Sequence, residues 1–332
     1  MDQFKALIVD QKEGQTTAEV QTLGLEALPE GDVTLRVAYS SLNYKDGLAV
    51  TGAAKVLRRH PMVPGVDMAG SVVESDSPNF KPDDEVILTG FEHGESRWGG
   101  FTQLNRVRAE HLVALPAGLS LRQAMAIGTA GLTAMLSVMA LEAQGLTPAE
   151  QREVVVTGAA GGVGSTAIAI LGGLGYNVVA STGRAETHDY LSQLGARAFI
   201  ERELLATPSK RPLESERWAA AVDAVGGETL AGLLRSMARE SSIALSGNAG
   251  GVALTTTVLP FILRGVNLLG IDSNFCPQAT RRIAWQRLAQ EIPADLLELM
   301  VAQEASLEDI PALGREILQG KIRGRVVIAV GE

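Results

Sequence analysis

Val154-Val155-Val156-Thr157-Gly158-Ala159-Ala160-Gly161-Gly162-Val163-Gly164-Ser165 is the segment on which the fold turns. A β-branched run stops at closely spaced glycines, and the Ala-, Ile- and Leu-rich residues beyond them read as a helix. Small residues at these spacings permit a tight strand-to-helix turn, close approach of a pyrophosphate to backbone N–H groups, and dense packing of helix on sheet. A glycine turn that serves packing alone looks the same, so the surroundings decide. Here a strand precedes, a helix follows and a second strand comes next, which favours a dinucleotide site.

Around that segment, six apolar runs rich in Val, Ile and Ala recur at 153–157, 177–181, 196–200, 219–224, 242–246 and 266–271. Six such runs alternating with helices predict an α/β fold with a doubly wound parallel sheet of the Rossmann type. Upstream, short extended runs at 6–9, 33–39, 70–74, 85–89 and 101–106 are broken by Gly, Pro and Asp, which predicts a β-rich domain. A helical segment is expected at 121–144, another at 277–291, then the stretch 297–318 and a terminal strand at 324–330. The six-strand sheet is complete before that last strand, so the tail is assigned back to the first domain. The expected domains are 1–122 with 297–332, discontinuous, and 123–296 for the nucleotide.

The chain has 332 residues, enough for about two domains, with 38 acidic residues against 29 Lys and Arg and a net charge of -9. That balance disfavours nucleic acid or an anionic membrane as the main partner, since both need a basic surface. No apolar run is expected to span a bilayer. One cysteine, Cys276, forbids an intramolecular disulfide and any multi-cysteine zinc site. The opening residues lead straight into the first strand-like run with no signal core, so the expected compartment is cytoplasmic.

The second strand ends in Ser181-Thr182-Gly183-Arg184, where an NAD-binding fold usually places a carboxylate for the ribose hydroxyls. Two hydroxyls and a guanidinium there remove repulsion toward a 2′-phosphate and add charge-assisted hydrogen bonds, so NADPH is the expected cofactor. Arg202 is a second candidate cation. Arg184 as a solvated residue at a helix start is the plainer alternative. The nucleotide-binding candidates in the glycine turn are Ala160, Gly161, Gly162 and Val163, joined by Thr182, Gly183, Arg184 and Arg202.

The β-rich half carries the frames in which metal-dependent alcohol dehydrogenases hold catalytic zinc, without the ligands. In Ser40-Ser41-Leu42-Asn43-Tyr44-Lys45-Asp46 the cysteine position is Asn43, and in Pro64-Gly65-Val66-Asp67-Met68-Ala69-Gly70 the histidine position is Val66. The four histidines show no ligand spacing, so no metal is expected. These two segments, Gly128-Thr129-Ala130-Gly131-Leu132-Thr133-Ala134, Leu269-Gly270-Ile271-Asp272-Ser273 and 320–327 together resemble the NADPH-dependent acryloyl-CoA reductase family, in the zinc-free, quinone-oxidoreductase-like branch of the medium-chain dehydrogenase/reductase superfamily. The resemblance spans the whole chain. It implies a GroES-like domain around the Rossmann domain, a homodimer or higher homo-oligomer, and reduction of acryloyl-CoA to propanoyl-CoA.

Hydride delivered to the β-carbon of an unsaturated thioester leaves charge on the thioester oxygen, so a donor near that oxygen and a proton for the α-carbon are required. Tyr44 is the candidate donor, since the resemblance places it by substrate and nicotinamide; stacking on the nicotinamide or lining the cleft is the alternative. Asn43 and Asp46 are candidates to position it. Asp67 stands where zinc relatives carry Glu and is expected to pair with a cation such as Arg323, as a structural salt bridge before a proton relay; Arg323 is also a cofactor-binding candidate. Leu245, Ile271 and Ser273 end the fifth and sixth strands, where a doubly wound fold borders the nicotinamide. Lys55, Arg58 and Arg59 read first as a solvated charge run and second as contacts for CoA phosphates. An NADPH:quinone oxidoreductase and a non-catalytic NADPH-binding sensor are the competing functions.

Overall fold

The computed structural model describes residues 2–12, 14–149 and 151–331. The chain forms two compact units: 1–129, 274–289 and 300–332 make the first, and 130–273 with 290–299 the second. The stretch 274–289 thus joins the first unit, where the sequence boundary placed it in the second. Its anchor is physical. Arg281, fully buried, donates to the Thr89 carbonyl and hydroxyl oxygens, both at 2.8 Å, so the helix Gln278–Glu291 is tied to the first unit's sheet.

The first unit opens with β1 (Gln3–Lys12), β2 (Gln15–Gly24), β3 (Val33–Leu42), β4 (Asp67–Ser75), β5 (Glu85–Thr89), β6 (Leu104–Val107) and β7 (Val113–Ala114). The second holds β8 (Glu153–Val156), β9 (Val178–Ser181), β10 (Ala198–Ile200), β11 (Trp218–Asp223), β12 (Met237–Leu245) and β13 (Asn267–Gly270). The chain then returns to the first with β14 (Val301–Ala305) and β15 (Arg325–Ala329). All six strands of the second unit run parallel in the order β10-β9-β8-β11-β12-β13, the doubly wound order expected from the six apolar runs.

In the first unit the sheet order is β14-β15-β3-β4-β5-β7, with β6 also on β3 and a separate β1-β2 pair. The terminal strand does return: β15 pairs antiparallel with β3 and parallel with β14. The stretch expected as one run at 297–318 is instead helix Ala294–Met300, β14 and helix Ile310–Leu318. Strand β2 has no counterpart among the expected strands, because its alternating positions are only half-buried and mix Thr16 with Ala18 and Val20, which leaves a weak apolar stripe.

Two helices flank the polar centre of the first unit. In α1 (Tyr44–Thr51), Asn43 and Asp46 form a reciprocal capping box, and Gly52 ends the helix at φ +69. In α2 (Leu121–Ala143), Gly128 departs from helical geometry at φ +52. Contrary to the sequence expectation, α2 is long and apolar enough to cross a membrane by composition, with an 18-residue window of mean hydropathy 1.8; that window is 83% buried within the protein.

Candidate functional site

In the second unit, α3 (Gly162–Gly173) starts on the glycine turn, capped by Gly161 in extended conformation. A Cβ on Gly164 would stand 2.4 Å from the Gly158 carbonyl oxygen, so this glycine is what allows the helix to lie against the turn. Ala160 is buried, Gly161, Gly162 and Val163 are half-buried, and 164–171 are buried. The opening turn of α3 therefore keeps its face toward solvent, and first-turn N–H groups lack acceptors within their own helix.

Beside it β9 ends at Ser181, whose carbonyl accepts the Ala159 N–H at 3.3 Å. The Thr182 hydroxyl accepts the Arg184 N–H at 3.1 Å, and the Thr187 hydroxyl donates to the Arg184 carbonyl at 2.7 Å, which fixes the backbone of Arg184. A Cβ on Gly183 would lie 2.8 Å from Arg202 Nε, so the Arg202 guanidinium rests against that glycine. It also donates to Glu203 at 2.8 Å and is 70% exposed. Ile271 N–H donates to the Leu245 carbonyl at 2.9 Å, and Ser273 accepts from the Thr133 hydroxyl at 2.8 Å. The sequence candidates of this unit thus fall into a glycine turn, a cationic strand end and a pair of neighbouring strand ends. They fit a phosphorylated dinucleotide: N–H donors for pyrophosphate, and at the end of β9 hydroxyls and guanidinium groups where an NAD-binding fold places a carboxylate.

The first unit holds a buried polar crossing. Asp67, the first residue of β4 and fully buried, accepts from the Ser41 hydroxyl at 2.6 Å, Asn43 Nδ2 at 2.8 Å, the Thr129 N–H at 3.0 Å and the Thr129 hydroxyl at 2.5 Å. Its counter-cation is Arg325, 3.7 Å away and 3% exposed, in place of the expected Arg323 two residues earlier. The reason is register: Arg325 begins β15, which pairs antiparallel with the end of β3, so its side chain reaches Ser41 and Asn43 directly. The guanidinium donates to the Ser41 hydroxyl at 2.8 Å, the Ala126 carbonyl at 3.0 Å and Asn43 Oδ1 at 3.1 Å. Gly128 makes room: a Cβ there would stand 2.5 Å from Asp67 Oδ2 and 2.7 Å from Arg325 Nη2.

Asp46 lies beside this crossing. Its carboxylate accepts the Asn43 N–H at 2.9 Å and the Val66 N–H at 3.0 Å. Burial, with the Asp67 charge adding to it, pushes its pKa up to about 7. The Asn43 amide joins the two acids, donating to Asp67 and, at 3.3 Å, to Asp46. Tyr44, next in the chain, is 42% exposed at the first position of α1, so the crossing holds the helix end from which Tyr44 projects.

Sequence reasoning missed Arg325, Ser41, Thr129 and Gly128. The available signals were a charged residue opening an otherwise apolar strand and a glycine interrupting an apolar helix. It also passed over His93 and His111, whose rings meet at 3.2 Å; His93 Nδ1 lies 2.7 Å from the Trp98 carbonyl. Burial holds both neutral, with pKa values lowered to about 3 and about 4. Among the described residues no three His, Cys, Asp or Glu side chains converge as metal ligands.

Two family models match: the alcohol dehydrogenase GroES-like domain over residues 29–117 and the zinc-binding dehydrogenase domain over 162–290. The acrylyl-CoA reductase AcuI of Ruegeria pomeroyi is 54% identical, with 98% of this chain and 99% of that protein covered. The chain belongs to the acrylyl-CoA reductase family. The Salmonella enterica yhdH oxidoreductase, solved in complex with NADP, superposes with a TM-score of 0.95 at 50% identity, covering 98% of this chain and 99% of that one. The Bacillus subtilis protein yhfP, solved with NAD bound, gives a TM-score of 0.95 at 46% identity over 99% and 100% of the two chains. The zinc in the name of the second domain does not fit this member: Asn43 and Val66 are not ligands, and the Asp67 carboxylate is occupied by four donor groups.

Proposed function

We propose that this protein reduces the carbon–carbon double bond of acryloyl-CoA to give propanoyl-CoA, using NADPH and no metal. The reading rests on the near-complete match to an acrylyl-CoA reductase, in a chain whose zinc frame is filled by the Asp67–Arg325 crossing. The opening turn of α3 holds the coenzyme's pyrophosphate, and Arg184 with Arg202 meets its 2′-phosphate. NADPH supplies a hydride for the β-carbon, and a proton reaching the α-carbon completes the reduction. Tyr44 donates its phenol proton in a hydrogen bond to the thioester oxygen as charge gathers there, without itself carrying charge. Asn43 and Asp46 position Tyr44 by capping α1, and Asp67 with Arg325 fixes Asn43.

The enzyme is further proposed to act as a cytoplasmic homodimer, in the compartment that holds NADPH and CoA esters. In support, β13 ends the second unit's sheet with a neighbour on one side, and Val258 and Ile262 nearby in that unit are 64% and 68% exposed.

The test is steady-state reduction by purified protein with NADPH. Turnover of acryloyl-CoA is expected, and Tyr44→Phe should lower kcat by roughly 100-fold, the effect of losing one oxyanion donor, with NADPH affinity retained. Fast quinone reduction without acryloyl-CoA turnover would replace this reading with a quinone oxidoreductase. Tight NADPH binding with no hydride transfer would make it a sensor. An unchanged kcat in the Phe variant would leave Tyr44 as wall.

A further inference from the structure

Between Asp46 and Asp67 the chain carries no acidic residue, although it has 38 acids in 332 residues. Within that stretch, after α1 ends at Gly52, Lys55, Arg58, Arg59 and His60 all lie exposed. The loop is nevertheless anchored. Leu57 is 4% exposed, Val56 packs on the core of the unit, and the Arg58 N–H donates to the Glu95 carbonyl at 3.0 Å. That contact brings in one carboxylate, and it is already engaged: Glu95 accepts from Lys45 at 2.8 Å. No side-chain ion pair or hydrogen bond joins Lys55, Arg58 or Arg59 to another group among the described residues. A fixed, uncompensated cationic loop on a chain of net charge -9 is a local anion site.

Position suggests which anion. Tyr44 opens α1 and the loop follows its end, so an eight-residue helix, about 12 Å long, separates the two. A pantetheine arm has about a dozen backbone bonds, and at the peptide-like extended rise of about 3.5 Å per three bonds it spans roughly 15 Å. One molecule can therefore place its thioester by Tyr44 and its phosphates by the loop. We propose that the loop 55–60 binds the phosphorylated adenosine end of the CoA ester, through Lys55, Arg58 and Arg59. The inference rests on the acyl-CoA reading and adds how CoA is distinguished from a simple thioester.

Two measurements test it. The first compares kcat/KM for acryloyl-CoA with that for acryloyl-pantetheine, which lacks the phosphates. The variant Lys55→Ala/Arg58→Ala/Arg59→Ala should reduce the preference for the CoA ester by at least about tenfold, as loss of charge-assisted contacts implies, and Arg58→Lys/Arg59→Lys should keep most of it. The second is calorimetric binding of 3′-phosphoadenosine 5′-diphosphate, which should weaken about tenfold in the triple Ala variant while NADPH binding holds. An unchanged preference, an equal loss on both thioesters, or a loss confined to NADPH binding would each overturn the assignment. If the wild-type protein reduces neither thioester, the functional reading fails on its own, and the calorimetric arm still decides whether the loop takes this nucleotide.

Discussion

The turn at the start of α3 and the crossing at Asp67 solve different problems by opposite means. The turn is made of what side chains leave out: consecutive small residues let backbone approach backbone, and a Cβ on Gly164 would meet the Gly158 carbonyl at 2.4 Å. The crossing is made of what side chains bring in: a carboxylate, a guanidinium, an amide and two hydroxyls gathered from positions as far apart as Ser41 and Arg325, 284 residues in sequence. A site of absences is local and steric; a site of buried partners is distributed and electrostatic. They should therefore fail differently. The first loses a ligand, and the second loses the fold around a stranded charge.

The largest effect is expected at the crossing. Arg325→Met leaves Asp67 buried without its cation and should destabilise the protein by about 3–5 kcal/mol, read from the urea midpoint. Pairing that change with Asp67→Asn should recover part of the loss, because the stranded charge goes with it. Simple addition of the two single effects would show that Asp67 and Arg325 do not act as a pair, and the contrast with the turn would lose its electrostatic half.

The same contrast separates what is legible in the sequence from what is not. The central strands β8, β9 and β11 of the second unit are written as short apolar runs because they are buried, and the glycine turn is a string of neighbours. The frames around Asn43, Val66 and Asp67 can be read as zinc positions without zinc ligands. Their replacement cannot, because nothing local to Asp67 points to a residue at the start of the last strand, and Arg323 is as near a candidate along the chain. Strand β2 is hidden for a different reason: none of its residues is fully buried and its half-buried positions mix Thr16 with Ala18 and Val20, so pairing with β1 is what makes it a strand.

Next in size is a pH dependence carried by Asp46. Its folded pKa of about 7 lies above the ordinary aspartate value of 3.8, so the folded state holds a proton that the unfolded chain has released. Its contribution is full below the unfolded value and is lost as pH rises through about 7, on the order of 4 kcal/mol over that window. His93 and His111 slope the other way: their folded values of about 3 and about 4 lie below 6.5, so stability falls as pH drops and the unfolded chain takes up protons. Comparing Asp46→Asn with the parent at pH 5 and pH 8 cancels the histidines. The variant should gain relative stability at pH 8. An identical difference at both pH values would mean that Asp46 is ionised throughout, and that two negative charges share the crossing with one cation.

The smallest effect belongs to the second unit and bears on the steric half of the contrast. Small residues in the turn admit any dinucleotide pyrophosphate, so the choice of NADPH over NADH has to come from side chains beyond it. Arg184 sits on a backbone fixed by Thr182 and Thr187, whereas Arg202 is largely exposed and shares its guanidinium with Glu203. A half-buried side chain on a fixed backbone loses less freedom on meeting a phosphate than a largely exposed one. Arg184→Ala should therefore weaken NADPH by about 1–3 kcal/mol with little change for NADH, and Arg202→Ala should cost less, both read from dissociation constants by coenzyme fluorescence. Equal losses for the two coenzymes would place the Arg184 contact on a group they share, and the phosphate would then have to be read by Arg202 across Gly183, where the absence of a side chain and the presence of one meet in a single contact.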